Sequence, residues 1–273
     1  MTTVRRPVPA HPAQSPVEAK PYNVAAVERA LGVLDAFSHQ RPELSLTDIA
    51  AHTELPKATA FRLLTTLCRA GMAMKNPATG LYRLGFRIIA LSEVAKTTTG
   101  FVSQARPFMR QIRDALNETV YIAVRVGDER INLDQLEGLR DIRRVVTIGK
   151  PSPLYVGSTS RVLLAAMPDD EIAGYFGRTE FIPPFPGAKV DVQTLWRAVA
   201  EIRRSGYAET HNKRIAEGAS ISAAVRGPAN EVLGSLTVSI PIGRYTDDVR
   251  SRTIEVIIEA ARALSHQLGA SVS

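Results

Sequence analysis

Residues 44–84 read LSLTDIAAHTELPKATAFRLLTTLCRAGMAMKNPATGLYRL. The stretch predicts two short helices joined by a tight turn and followed by a β-hairpin, the layout of a winged helix-turn-helix. In residues 44–53, Leu46, Ile49 and Ala50 fall at helical spacing, Ser45 or Thr47 can cap the start, and Asp48 suits the positive end of the dipole. Glu54-Leu55-Pro56 then breaks the period. Pro56 fits the first position of a new helix, where its missing N–H goes unmissed, and that helix runs to Ala70 before Gly71 ends it.

At about 100° per residue the second helix separates into two faces. Ala60, Leu63, Leu64 and Leu67 gather on one side. Opposite them fall Ala58, Arg62, Thr65 and Arg69, flanked by Thr59, Phe61 and Thr66, with Lys57 at the N-terminal tip. This outer face is small, hydroxylic and cationic, which suits a helix entering a major groove about 12 Å wide and meeting phosphates on its walls. A plain solvated helix face could have a similar composition, so the flanking charge decides between them. From Leu55 through Arg87 there is no Asp or Glu, while Lys57, Arg62, Arg69, Lys75, Arg83 and Arg87 supply positive charge. A solvated face usually mixes signs; a run lacking one sign builds a field that attracts a polyanion. The hairpin around Asn76-Pro-Ala-Thr-Gly80 forms a wing able to set Lys75, Thr79 and Arg83 against a DNA backbone. The predicted DNA-contacting set is Thr47, Lys57, Ala58, Thr59, Phe61, Arg62, Thr65, Thr66, Arg69, Lys75 and Arg83.

The 273-residue chain is long for one domain and comfortable for two. Its net charge of +7 is unevenly placed: residues 1–90 carry 11 Lys/Arg against 6 Asp/Glu, the remainder 23 against 21. The basic excess lies with the helix-turn-helix. Cys68 is the only cysteine, so neither an intrachain disulfide nor a cysteine-based metal cluster can form within one chain, and it reads as a small core residue. No apolar stretch approaches membrane-spanning length and no secretory signal is apparent, which predicts a cytoplasmic protein with no membrane partner.

Residues 1–21, with Pro7, Pro9, Pro12, Pro16 and Pro21, predict a disordered tail. Asn23 can cap a first helix whose Val27, Ala30, Leu31, Leu34 and Phe37 fall at helical steps. Helical periodicity returns over 87–96, is interrupted at Thr97-Thr-Thr-Gly100, and resumes over 101–117 with Val102, Ala105, Phe108, Ile112 and Leu116 on one side. The interruption is read as the joint between domains, and apolar faces on such helices favour dimerisation. Strands are expected at 119–126, 130–137, 143–148, 220–226 and 232–240, the last two as a hairpin turning at 227–230. Helices are expected at 158–167, 169–176, 192–204 and 246–268, the last capped by Thr246 and stopped by Gly269. This is an α+β pattern with one mainly antiparallel sheet.

AVERALGVLDAF, then the helix-turn-helix, then a wing ending YRLG resembles the N-terminal domain of the IclR family of transcriptional regulators. The likeness continues through NETVYIAV, DQLEG, GSTSRVLLA, IRRSGYAE, EGASISAAV and SLTVSIP followed by Arg244, and so covers roughly residues 22–269. It implies a winged helix-turn-helix domain over 22–86, a linker helix over 87–100 and a GAF-like effector-binding domain over 101–273. It also implies a dimer or tetramer that grips a palindromic site on double-stranded DNA and responds to a small organic acid. Ser158-Thr-Ser160-Arg161 and Ser220-Ile-Ser222 most resemble the subgroup sensing aromatic acids such as protocatechuate.

Thr237 and Ser239 share one face of a strand, as do Ser220 and Ser222, and a few polar groups on apolar strands can fix a small ligand against the concave face of a sheet. In the family, positions matching Ser220, Thr237 and Ser239 line the effector pocket, with a further polar position at Thr210. The chain departs from the common pattern in having Ser220 where cysteine is frequent, Thr210 where an acid is frequent, and His211-Asn-Lys-Arg214 where acids are common. The competing reading leaves these hydroxyls on a solvated face.

An enzyme is not expected. GSTSR lacks the G-x-S-x-G spacing of a nucleophile elbow, neither nucleotide-binding glycine motif occurs, and the five histidines are scattered without metal spacing. Asp169-Asp170-Glu171 is explained by a helix start. No cofactor is predicted. The alternative is a GAF-like enzyme or signalling protein whose winged module makes protein contacts, though such a module has no reason to exclude carboxylates from residues 55–87.

Overall fold

The computed structural model of the chain describes residues 24–38, 40–183, 190–212 and 218–270; the expected disordered tail at 1–21 and the cap at Asn23 lie outside them. Two compact units meet between Val94 and Ala95.

In the N-terminal unit, α1 (Ala25–Asp35), α2 (Leu46–His52) and α3 (Lys57–Arg69) precede a two-stranded antiparallel wing, β1 (Ala73–Lys75) and β2 (Tyr82–Leu84). Helix α2 begins later than its apolar period suggests because Ser45 and Asp48 cap it reciprocally. The Asp48 N–H donates to Ser45 Oγ at 3.1 Å, and the Ser45 N–H donates to Asp48 Oδ2 at 3.1 Å. The Ser45 hydroxyl, which donates to Asp48 Oδ2 at 2.6 Å, and then the Ser45 N–H hold the Asp48 carboxyl below its ordinary pKa. Leu44, left outside the helix, bridges Tyr82 and extends the wing. Pro56 caps α3 rather than opening it.

Ile49, Leu64 and Leu67 close a core with Val33, Phe37 and Tyr82. The α1 contribution differs from expectation: Val27 and Leu31 are each 54% exposed, and the buried side is Ala30, Val33, Leu34 and Phe37. Both sets have helical spacing, and only packing against α3 selects between them. Cys68 packs partly against this core, where burial pushes its thiol pKa up.

Helix α4 (Arg87–Thr99) runs through the threonines where an interruption is expected and stops at Gly100, which has φ of 61°. Its start is tied to α3, since the Arg87 N–H donates to the Gly71 carbonyl at 3.3 Å and Arg87 Nη1 to the Ala70 carbonyl at 3.2 Å. Gly85 closes the wing so tightly that a Cβ there would fall on the Gly71 carbonyl.

The second unit is built on one sheet. Strands β3 (Thr119–Val126), β4 (Glu129–Leu136), β5 (Pro151–Pro153), β6 (Tyr207–Asn212), β7 (Gly218–Arg226) and β8 (Val232–Pro241) lie in the order β5-β4-β3-β8-β7-β6, every neighbouring pair antiparallel. On one face, Val120, Ile122, Ile221, Leu236, Val238 and Ile240 pack against α5 (Phe101–Leu116) and α9 (Asp247–Gln267). On the other, α6 (Gly157–Ala165), α7 (Asp169–Arg178) and α8 (Val192–Ser205) build a second core with Leu154, Tyr155 and Ala208.

The strand expected at 143–148 does not form. Its backbone is held by side chains instead: Thr119 Oγ1 donates to the Arg144 carbonyl, Asn132 Nδ2 donates to the Thr147 carbonyl, and the Val146 N–H donates to Gln135 Oε1. With those groups satisfied, the stretch has no need of a ladder, and the edge strand falls at Pro151–Pro153. Strand β6, polar along YAETHN, is not foreseen by apolar patterning. Between α5 and β3, Glu118 is 2% exposed and accepts from Arg244 Nε and Nη2 at 2.6 and 2.7 Å and from Arg140 Nη1 at 2.8 Å.

Candidate DNA-binding face and effector cavity

The outer side of α3 exposes Lys57, Ala58, Phe61, Arg62, Thr66 and Arg69, with Thr59 and Thr65 half-buried; Thr47 is exposed on α2, and Lys75 and Arg83 on the wing. Thr65 Oγ1 donates to the Phe61 carbonyl at 2.8 Å and Thr66 Oγ1 to the Arg62 carbonyl at 3.1 Å. Each hydroxyl thereby turns its proton inward and leaves an acceptor and a methyl for whatever faces the helix. Phe61, 49% exposed, adds an apolar group of the kind that meets a thymine methyl.

Arginine–carboxylate pairs are concentrated in the second unit. Arg125, Arg140, Arg178, Arg203, Arg244 and Arg250 of the second unit all hold carboxylates. Among the described residues Lys57, Arg62, Arg69, Lys75 and Arg83 hold none. Lys75 Nζ sits 5.4 Å from the Tyr82 ring centroid, which aims the wing cation without neutralising it. If the wing lies along phosphates, Lys75→Ala lowers the slope of log affinity against log salt by about one unit. Titration of duplex binding between low and moderate salt checks this, and an unchanged slope would place the wing off the backbone.

In the second unit, strand register assembles the hydroxyls in rows. Tyr121, Thr237 and Ser222 are consecutive partners across β3, β8 and β7; one step along, Thr119, Ser239, Ser220 and Thr210 are partners across β3, β8, β7 and β6. The expected concave surface is not open, because the first turn of α6 lies over it and adds Ser158 and Thr159. An unbroken path of hydrogen bonds results: Tyr121 to Thr159 at 2.8 Å, Thr159 to Thr237 at 3.0 Å, Thr237 to Ser222 at 2.8 Å, Ser222 to Ser158 at 2.8 Å, Ser158 to Ser220 at 2.8 Å, and Ser220 to Thr210 at 3.0 Å. The Ser158 N–H donates to Thr210 Oγ1 at 3.2 Å.

A cavity of about 790 Å³ opens beside this network, within the roughly 300–1,000 Å³ range of small-molecule sites. Of the five hydroxyls expected at the effector site, Thr210, Ser220 and Ser239 line it. Ser222 and Thr237 are fully buried behind its wall and reach it only through their neighbours, so neither lies on a solvated face nor directly against the cavity. Arg130, Arg144, Lys150 and Arg161 also line it, against the acids Asp191 and Glu209. Glu209 Oε2 accepts from Arg250 Nε at 2.8 Å and Glu209 Oε1 from the Tyr245 hydroxyl at 2.8 Å. Burial, then the Glu209 carboxylate, raises the Tyr245 pKa. Arg161 Nε is buried with no hydrogen-bond partner, and burial lowers the pKa of its guanidinium from the ordinary arginine value.

Sequence reasoning did not place Tyr121, Ser158, Thr159 or Arg161 at the effector site, nor the charged cavity residues Arg130, Arg144, Lys150, Asp191 and Glu209. The alternation in TVYIAV, which sets Thr119 and Tyr121 on the face opposite the apolar core, is the signal for Tyr121. Ser158, Thr159 and Arg161 come from a helix, and their spacing shows only that Ser158 and Arg161 share its face. Among the described residues no cluster of histidine, cysteine and carboxylates could hold a metal ion, and no helix is long and apolar enough to cross a membrane.

A winged helix-turn-helix with unpaired cations, joined to a sheet domain with a polar cavity, defines the class of ligand-responsive DNA-binding proteins. Residues 95–266 match the model of the bacterial transcriptional regulator IclR C-terminal domain, and residues 26–77 that of the IclR helix-turn-helix domain. The chain belongs to the IclR family and is a DNA-binding transcriptional regulator of that type. It is 26% identical to the HTH-type transcriptional regulator KipR of Bacillus subtilis, covering 89% of this chain and 96% of that one. It is 27% identical to the Pca regulon regulatory protein of Pseudomonas putida, covering 96% and 95%. A crystal structure of an IclR homolog complexed with 4-hydroxybenzoate, from Microbacterium hydrocarbonoxydans, shares the fold with a TM-score of 0.76 at 24% identity, covering 90% of this chain and 100% of that one.

Proposed function

We propose that the chain acts in the cytoplasm as a dimer or dimer of dimers, reads a palindromic operator with two copies of α3, and changes its grip when a small organic acid enters the cavity. The carrying observation is the set of wing and α3 cations that have no counterion among the described residues, since unneutralised charge on one face is what a polyanion replaces salt ions to reach. Exposed Val27 and Leu31 on α1 with Val24 before it, and Ile89 and Leu91 on α4 with Phe86 before it, supply apolar surface for a second copy, and two-fold symmetry doubles the length of DNA read. The excess of cations at the cavity favours an anionic ligand, in keeping with the 4-hydroxybenzoate held by the Microbacterium homolog and the Pca regulon name of the Pseudomonas relative. A regulatory rather than catalytic role is supported by the hydroxyl network: Ser158 bonds to other hydroxyls and one of their oxygens accepts its backbone N–H, and among the described residues no base is bonded to the Ser158 hydroxyl.

Gel-shift titration with an operator selected from random duplexes tests the reading. The full chain is expected to retain one palindromic sequence with a stoichiometry of two or four chains per site, and an effector acid is expected to change that affinity by about 5- to 150-fold. Failure to bind any duplex in dilute buffer would overturn it.

A further inference from the structure

Arg161 stands one helical turn after Ser158 on α6, lines the 790 Å³ cavity, and also borders a smaller one of about 240 Å³. Its natural counterions are already taken. Glu209 accepts from Arg250 and Tyr245, while Asp191 accepts from the Gln193 and Thr194 N–H groups and the Thr194 hydroxyl at the start of α8. Arg130 also has a buried Nε with no hydrogen-bond partner, but its Nη1 is held on Asn132 Oδ1 at 2.8 Å, a side-chain anchor that Arg161 lacks among the described residues. Among the described residues Arg161 has no ion pair, and a half-buried guanidinium without one is destabilising until an anion arrives.

The neighbouring hydroxyls point the same way by proton counting. Tyr121, Thr159, Thr237, Ser222, Ser158, Ser220 and Thr210 bring seven O–H donors to six contacts, leaving one donor over. The 3.4 Å approach of Thr159 to Ser222 is too long to absorb it well. Both ends of the path, Tyr121 and Thr210, line the cavity, so the surplus proton can be presented there. Ser239, 7% exposed and also lining the cavity, has a hydroxyl with no hydrogen-bond partner among the described residues. The site therefore offers a cation and spare donors, and its two carboxylates are occupied.

Resting on the reading of this cavity as the effector site, we infer that Arg161 is its anion receptor and that the effector is a carboxylic acid bearing a further hydrogen-bond acceptor. The carboxylate pairs with Arg161, and the acceptor takes the surplus proton of the hydroxyl path or that of Ser239. An anion at one end draws all the hydroxyl protons toward itself, because each O–H can turn without breaking the path. A neutral amide of the same shape keeps the acceptor but forgoes the ion pair, and an amine meets the guanidinium with like charge.

The test uses the full chain with benzoate, 4-hydroxybenzoate, protocatechuate and glyoxylate, and with 4-hydroxybenzamide as the neutral control, read by thermal shift and calorimetry. At least one acid is expected to stabilise the wild type while the amide does not. Arg161→Gln is expected to weaken that acid by about tenfold to a hundredfold, and Arg161→Lys to restore part of the loss. Without ligand, Arg161→Gln is expected to melt at or above the wild-type temperature, since an unpaired charge has been removed; a clearly lower melting temperature would make Arg161 a structural residue and overturn the assignment. Undiminished acid binding by Arg161→Gln would overturn the assignment while leaving acid sensing intact. A wild type that binds the amide as well as the acids, or none of the acids, would overturn both.

Discussion

Arg62→Ala weakens binding to the selected operator by about 5- to 150-fold, the loss of roughly 1–3 kcal/mol that accompanies removal of a base-reading arginine. The side chain projects from the middle of the exposed side of α3, with Leu64 and Leu67 buried beneath the helix, so its removal leaves the core of the N-terminal unit untouched. Folding is thereby separated from recognition: the melting curve should be unaltered while the binding isotherm moves. Fluorescence anisotropy with operator and scrambled duplexes checks the result. A loss confined to the operator marks Arg62 as a base contact, an equal loss on both marks it as a phosphate contact, and no loss on either would show that α3 presents a different side to DNA.

Arg244→Ala lowers the stability of the second unit by about 3 kcal/mol, at the low end of what breaking a buried ion pair removes. Glu118 is 2% exposed and loses its two-pronged partner, retaining only Arg140, whose own side chain is 43% exposed. For a unit of this size the melting temperature should fall by roughly 6–12 °C. The double variant Glu118→Leu with Arg244→Ala should recover part of the loss, because no buried carboxylate is then left uncompensated. Calorimetry of the full chain checks both, and an Arg244→Ala transition within a degree of wild type would show that the pair contributes nothing net.

What could be read from the sequence was whatever depends on local periodicity. The faces of α3 follow from spacing alone because one side of that helix packs and the other does not. For the same reason α1 was legible as a helix but not as a face: Val27/Ala30/Leu31/Leu34 and Ala30/Val33/Leu34/Phe37 fit a helical stripe equally well, and α3 chooses. The β-branched run at 143–148 misleads because strand propensity says nothing about the Thr119, Asn132 and Gln135 side chains that occupy its backbone. The hydroxyl path shows the same limit. Thr237 and Ser222 are visible as alternating polar positions, but their meeting with Tyr121 depends on register across three strands, and Ser158, Thr159 and Arg161 join them only through the placement of α6.

Arg87 carries a mechanical implication. Its amide and guanidinium grip the Gly71 and Ala70 carbonyls just past the end of α3, and the helix it begins runs on to Thr99. Swivelling at this corner would have to break both bonds, so within the N-terminal unit the junction behind the reading helix is pinned rather than free.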